Sequence, residues 1–375
     1  MNPTVSFVVP CYNLAHFLPE CVESILQQTY GDFEILIMDD CSPDNTPEVA
    51  RSFKDPRVKH IRNEPNLGHL RNYNKGIELS RGKYIWLISA DDRLRRPYAL
   101  DRYIRVLDGN PRVGYVFCPG VRLRENKELD VLDYSKHGHH DQTFNGRQFL
   151  SKLIQGNSIV AASGVVRKEC YTKAGVFPLD MPWAGDWYLW CVFSLHFDVG
   201  YLAEPLVCYR EHDLSITQQL MRDRVTSCAS EDVSMPWVIK RKAEEARDRN
   251  VSRSCLLAVA NEYARSMAPE RYRWKSTSPM SLKEFEESLD RNSSGTRERD
   301  WIRARVYTAI ADRYYWKGEL GLARKLYISG LRKTPWILKI WAKLLLLFLG
   351  GLGQQFRIRI KGIRRSILNQ PPANS

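Results

Sequence analysis

A chain of 375 residues with 43% hydrophobic and 26% charged residues, 22 Gly and 19 Pro has room for one large domain with an appendage, or for two domains, and its composition excludes a disordered, collagen-like or coiled-coil protein. The net charge of +13 favours an anionic partner, but nine basic residues and no acidic one lie between Leu331 and Ser375, so the first 330 residues carry only +4 and a nucleic-acid partner is not expected. Nine cysteines, odd in number and without a CxxC pair, suggest neither a disulfide framework nor a zinc site and point to a reducing compartment. The first ten residues, MNPTVSFVVP, lack the basic start and cleavage site of an export signal.

In chain order, Val5 to Pro10, Phe33 to Met38 and Tyr84 to Ser89 are short apolar, β-branched and aromatic runs, the pattern of parallel strands buried on both faces. Between the first two, Leu14, Phe17, Leu18, Cys21, Val22, Ile25 and Leu26 recur with helical spacing behind Asn13 as N-cap, which predicts an amphipathic crossover helix. Thr46-Pro47-Glu48 marks a second helix start, with proline at the first helical position. A third helix is predicted from about His69 to Ser80, closed by Gly82. Strands alternating with helices predict a doubly wound α/β sheet, mixed but mostly parallel, with its ligand site beyond the carboxyl ends of the strands.

Those ends carry acids rather than a phosphate-binding loop. No GxGxxG follows the first strand and no GxxxxGK[ST] occurs anywhere, so dinucleotide-binding and P-loop readings lose their main support. Asp39 and Asp40 close the second strand, and Asp91 and Asp92 follow the one that starts at Tyr84. Four carboxylates on one edge repel one another unless a cation or hydrogen-bond donors offset them, and a hard divalent ion bridging a nucleotide diphosphate is the natural resident.

With these residues the chain resembles the inverting glycosyltransferases of family 2, which have the A-type nucleotide-sugar fold. The resemblance runs from Val5 to about Ser215 through VSFVVPCYN, FEILIMDDCSPDNT, NLGHLRNYNKGIELSRGKYIWLISADD, GDWYLW and YREHDLS. It implies a nucleotide-diphosphate sugar donor, a Mn²⁺ or Mg²⁺ ion, and transfer to an acceptor hydroxyl with inversion. Carried over residue by residue, Pro10, Tyr12 and Asn13 match the loop around the base. Asp40 matches the acid that accepts from the base, with Asp39 beside it, and makes uracil the first choice, because a carboxylate favours a base edge that donates. Asn66, Gly68, Arg71 and Asn72 match the loop and helix near the nucleotide. Asp91 and Asp92 match the motif for metal and diphosphate, although Ser89 stands where many relatives have a further acid. Arg210 matches a phosphate contact, and His212 a phosphate or metal ligand. Asp186 matches the catalytic base, a role compatible with capping the helix that begins beside it. Trp183 offers a stacking face to an acceptor sugar, and Trp190 is expected in the core. His137, His139 and His140 in HGHH are expected to be a solvated surface run.

The resemblance gives residues 1–225 as the catalytic domain. Residues 226–335 are expected to form a small helical domain, with Ala311, Tyr314, Ala323, Tyr327 and Pro335 at the spacing of one tetratricopeptide helix pair and SLDRNSSGTRERD as an exposed connection. Residues 336–375 combine an amphipathic helix, WILKIWAKLLLLFL, with a basic tail. Such a segment suits an anionic membrane surface, and packing on the protein itself is the competing reading. The expectation is a peripheral, cytoplasmic-face sugar transferase acting on a lipid-linked or surface glycan. A soluble or protein acceptor, or a non-catalytic glycan-binding scaffold on the same fold, is the alternative.

Overall fold

Among the described residues twelve strands form: Val5–Cys11 (β1), Phe33–Asp39 (β2), Val58–Arg62 (β3), Tyr84–Leu87 (β4), Arg93–Leu94 (β5), Val113–Phe117 (β6), Gly120–Arg124 (β7), Lys127–Val131 (β8), Gln142–Phe144 (β9), Val165–Arg167 (β10), Asp198–Tyr201 (β11) and Val207–Arg210 (β12). They belong to a computed structural model that describes residues 2–266, 282–336 and 338–348. Eight strands make one sheet in the order β3-β2-β1-β4-β10-β6-β11-β9, and β5-β12-β7-β8 make a second. β1 to β4 are parallel neighbours, and β10 runs antiparallel between β4 and β6. Every residue of β1 and β2 is buried, as the unbroken apolar runs require when helices cover both faces of a sheet.

Sequence expectation and structure part at the first crossover. The helix spans Leu18–Leu26 with Phe17 as N-cap, so Asn13 does not cap it. Pro19 sets the start, since proline is favoured where the helical N–H groups have no partner. Asn13 instead takes a positive φ of 56°, which asparagine tolerates better than most residues. Its N–H donates to Ser42 Oγ at 3.2 Å, joining the loops after β1 and β2. The second and third helices, Thr46–Ser52 and His69–Leu79, lie where the sequence put them.

The chain divides into two units, Met1–Cys255 and Leu256–Ser375. The division therefore falls about thirty residues later than the expected end of the catalytic domain at 225. The cause is the helix Val225–Glu245, whose Glu231 and Asp232 hold the segment around Trp183. In the second unit the helices Thr296–Trp316 and Leu320–Lys333 pair around Ala311, Tyr315, Ala323 and Tyr327, all buried. Tyr314, expected there, is only partly buried. Much of the expected exposed connection is helical, because Phe285 and Leu289 bury one face of Leu282–Asn292. Residues 349–375, with the basic tail, lie outside the described residues.

Candidate functional site

Two Asp-Asp pairs end two of the parallel strands, and their surroundings differ. At the end of β2, Asp39 is fully buried. It accepts from the Ser42 N–H at 2.8 Å and from the Arg62 guanidinium at 2.7 Å, and lies 3.1 Å from His60 Nε2. Burial alone would raise its pKa, but these hydrogen bonds outweigh burial and hold it below the ordinary carboxylate value. Asp40 accepts from Asn63 Nδ2 at 2.9 Å and from the backbone N–H groups of Leu67 and Gly68 at 2.8 and 2.9 Å. Gly68 has φ +80°, a conformation that side chains disfavour and that turns its N–H onto the acid. Asn66 donates to the Asp40 carbonyl at 2.7 Å.

This network corrects two expectations. The Asp39 carboxylate is engaged inside the protein by Ser42, Arg62 and His60. Asn72, buried, donates to the Met38 carbonyl and accepts from Asn63, both at 2.8 Å; it ties a helix to the sheet. Arg71 is exposed and makes no ion pair with these acids among the described residues. Pro10 is the penultimate residue of β1, buried, while Tyr12 stands half exposed just beyond the strand.

The second pair is poorly satisfied. Asp91 and Asp92 are both buried, and Asp91 Oδ1 has no hydrogen-bond partner. Its other oxygen lies 2.9 Å from His212 Nε2. Asp92 accepts from the Arg210 N–H at 2.9 Å; burial and then the neighbouring Asp91 charge push it well above the ordinary value. Arg210, expected to bind phosphate, is itself buried. Its Nε donates to the Asp91 carbonyl at 2.7 Å, its other nitrogens to Asn126 and Glu20, and its guanidinium lies over the Phe17 ring. Each of the three guanidinium nitrogens thus has a partner within the protein, and Arg210 braces the acid pair.

Asp186 begins the helix Gly185–His196. It accepts from its neighbour Trp187 N–H at 2.7 Å and from Asn157 Nδ2 at 3.0 Å, and burial pushes it up to about 6. The helix is anchored from Val225–Glu245, where Glu231 accepts from the Trp183 and Ala184 N–H groups at 2.7 and 2.9 Å. The Trp183 indole donates to Asp232 at 2.9 Å, which fixes its ring while leaving it partly exposed. Trp190 packs in the core against Tyr115.

Two tyrosine hydroxyls, those of Tyr73 and Tyr134, feel the charges of both Asp92 and Asp186. Tyr73, from the helix His69–Leu79, has its hydroxyl raised by burial and then by the charges of Asp91, Asp186 and Asp92. Asp91, Asp92 and Asp186, 94 residues apart in sequence from second to third, therefore act on one place. Tyr73, Asn157, Glu231 and Asp232 were not singled out from the sequence; each acts through tertiary contacts that leave no local motif.

Among the described residues no three His, Cys, Asp or Glu side chains converge as a ready metal cage. His212 Nε2 lies 2.9 Å from Asp91 Oδ2 and supports that acid. The orphaned Asp91 Oδ1 still fits a hard cation, provided a diphosphate or water supplies the remaining oxygens. His137 corrects another expectation. It is ringed by Phe117, Phe144, Phe149 and Tyr201 and pairs with Ser158 Oγ at 3.1 Å, and only His139 and His140 are exposed.

Residues 6–163 match the family model described as Glycosyl transferase family 2. The uncharacterized protein MT1568 of Mycobacterium tuberculosis is 29% identical over 237 residues, 60% of this chain and 70% of that protein. The uncharacterized glycosyltransferase EpsJ of Bacillus subtilis is 27% identical over 242 residues, 58% of this chain and 64% of that protein. The chain thus spans about two thirds of the length of the curated relatives it matches. TarS 1–349 of S. aureus, solved in complex with UDP-GlcNAc, superimposes with a TM-score of 0.59 at 15% identity over 88% of this chain and 90% of that one, a likeness of fold.

Proposed function

From the match of residues 6–163 to the glycosyl transferase family 2 model, we propose that this chain moves a sugar, with inversion, from a nucleoside diphosphate donor to an acceptor hydroxyl. The observation that carries this reading is the opposition of a poorly satisfied acid pair, Asp91 and Asp92, to a separately supported carboxylate, Asp186, raised to about 6. An acceptor hydroxyl is a weak nucleophile. Asp186 takes its proton as the anomeric carbon is attacked from the face opposite the leaving diphosphate, and a pKa near 6 leaves it unprotonated at neutral pH yet more basic than an ordinary aspartate.

Asp91 and Asp92 are the residues that would hold a Mn²⁺ or Mg²⁺ ion, which when bound offsets charge on the departing nucleoside diphosphate. Asp40 with the 66–68 loop, and Tyr12, border the base. A uridine donor is the reading to test first, supported by Asp40 at the base position and by the UDP-GlcNAc complex of the structural relative. Trp183, held flat by Asp232, is the proposed acceptor platform. A lipid-linked or surface glycan is the proposed acceptor, and the cytoplasmic face of a membrane the proposed setting.

Calorimetric titration with UDP, GDP and dTDP, each with and without Mn²⁺, tests the donor side. Metal-dependent binding of UDP alone is expected. Failure to bind any nucleotide, with or without metal, would remove the transferase reading and favour a glycan-binding scaffold.

A further inference from the structure

The last described helix, Leu338–Phe348, buries one face and exposes another. Ile340, Leu344 and Leu347 are buried with Tyr315, Tyr327 and Leu331 of the preceding helix pair. Leu338, Trp341, Leu345 and Phe348 recur at i, i+3, i+7 and i+10, a single stripe on a helix of 3.6 residues per turn. They and Trp336, just before the helix, are between 52% and 80% exposed. Among the described side chains, packing on the protein accounts for Ile340, Leu344 and Leu347, and five large apolar side chains remain exposed.

We infer that this stripe is a docking surface for an anionic lipid bilayer, lying in the plane of the interface. Three observations select lipid over other occupants. Eleven helical residues reach about 17 Å, far short of the ~30 Å hydrocarbon core, and no helix among the described residues is long and apolar enough to cross a membrane. Two of the five side chains are tryptophans, the residue that prefers the headgroup boundary, and the Trp341 indole already donates to the Pro335 carbonyl at 2.8 Å, so its polar edge is satisfied as the ring enters an apolar layer. From Leu331 onward the chain carries nine basic residues and no acid, a charge that suits anionic headgroups and opposes self-association of this segment. The inference is independent of the sugar transfer proposed above.

Flotation of the full chain with vesicles tests it. Binding is expected to vesicles of equimolar phosphatidylcholine and phosphatidylglycerol but not to phosphatidylcholine alone, and to weaken as salt rises. The double variant L338E/L345E, at two positions without core contacts, should lower the bound fraction about tenfold while leaving helicity and nucleotide binding unchanged. A parallel measurement does not depend on that variant folding: bromolipid quenching of tryptophan emission should fall in W336F/W341F. No flotation of the wild type, equal flotation of the glutamate variant, or unchanged quenching would overturn the inference. So would a concentration-dependent dimer without lipid that L338E/L345E dissolves, since the stripe would then be covered by a second copy.

Discussion

Asp39-Asp40 and Asp91-Asp92 are the same dipeptide, each at or just beyond the carboxyl end of a parallel strand of one sheet, yet the protein treats them oppositely. The first pair receives hydrogen bonds from Ser42, Arg62, Asn63, Leu67 and Gly68, and Asp39 is held below its ordinary pKa. The second keeps a buried oxygen without a partner, and Asp92 is pushed up. Asp39, with its carboxylate taken up by Ser42, Arg62 and His60, is structural, and Asp40 is held in place by the 66–68 loop, whereas a carboxylate that is buried and unfilled waits for something to fill it. The contrast extends to Arg210 and Arg62, the cations nearest each pair. Arg62 neutralises its acid directly; Arg210 donates its Nε–H to the Asp91 carbonyl and its backbone N–H to the Asp92 carboxylate, and leaves Asp91 Oδ1 without a partner.

The comparison breaks most visibly at Asp186. Asp186→Asn should lower turnover by about 10²- to 10⁴-fold, the range for a lost general base, while nucleotide affinity stays within about threefold; retained turnover in a direct transfer assay would remove Asp186 from that role. Turnover of the wild type should rise with pH through about 6 and then level, because only the unprotonated acid accepts a proton. The stability effect has the opposite sense. A carboxyl raised by burial favours the fold in its protonated form, an advantage present below the ordinary aspartate value and lost as pH rises through about 6. Asp186→Asn should therefore be more stable than the wild type by about 1–2 kcal/mol near pH 7.5, with the gain vanishing below about pH 4 in denaturant titrations.

Exchanging the same substitution between the two pairs sharpens the contrast. Asp39→Asn removes the buried charge that Arg62 faces and should lower the denaturant midpoint. Asp39 is depressed in the fold, so this contribution is present above the ordinary aspartate value and lost as pH falls through the folded pKa; the Asn variant and the wild type should converge in acid. Asp92→Asn should instead leave the melting temperature unchanged or raised and remove metal-dependent nucleotide binding. Equal stability losses in both variants would erase the distinction.

Arg210→Lys tests the brace. Lysine keeps the charge but cannot reach the Asp91 carbonyl, Asn126 and Glu20 together, so the apparent affinity for Mn²⁺ and donor should drop by about five- to tenfold with a smaller change in turnover. The smallest effect is expected from Trp183→Phe, which retains a ring and loses one hydrogen bond to Asp232, worth about 1 kcal/mol; it should appear in the acceptor KM and not in donor binding.

Much of this was legible in the chain. The unbroken apolar runs gave β1, β2 and β4, Pro47 marks a helix start, and the acids at the strand ends lie where a doubly wound sheet brings ligands, because strand burial and helix capping are properties of short segments. The helix from Leu338 could be seen to be amphipathic from its spacing alone. What could not be read was which polar groups the fold would satisfy. Asp39, Asn72 and Arg210 looked like ligand contacts and are engaged within the protein, while Tyr73, Asn157, Glu231 and Asp232 carry no motif and stand around the site.

The sequence by itself determined the periodicities, the family resemblance of residues 6–163 and the identity of the acids, since each rests on motifs of residues within a few positions of one another. Only the tertiary structure decided which acids are neutralised, which are left open, and which face of the last helix meets water. Those outcomes depend on hydrogen-bond partners and burial contributed by segments tens to more than a hundred residues away, as between Asp92 and Arg210, and desolvation has no value until the whole chain has closed around the group.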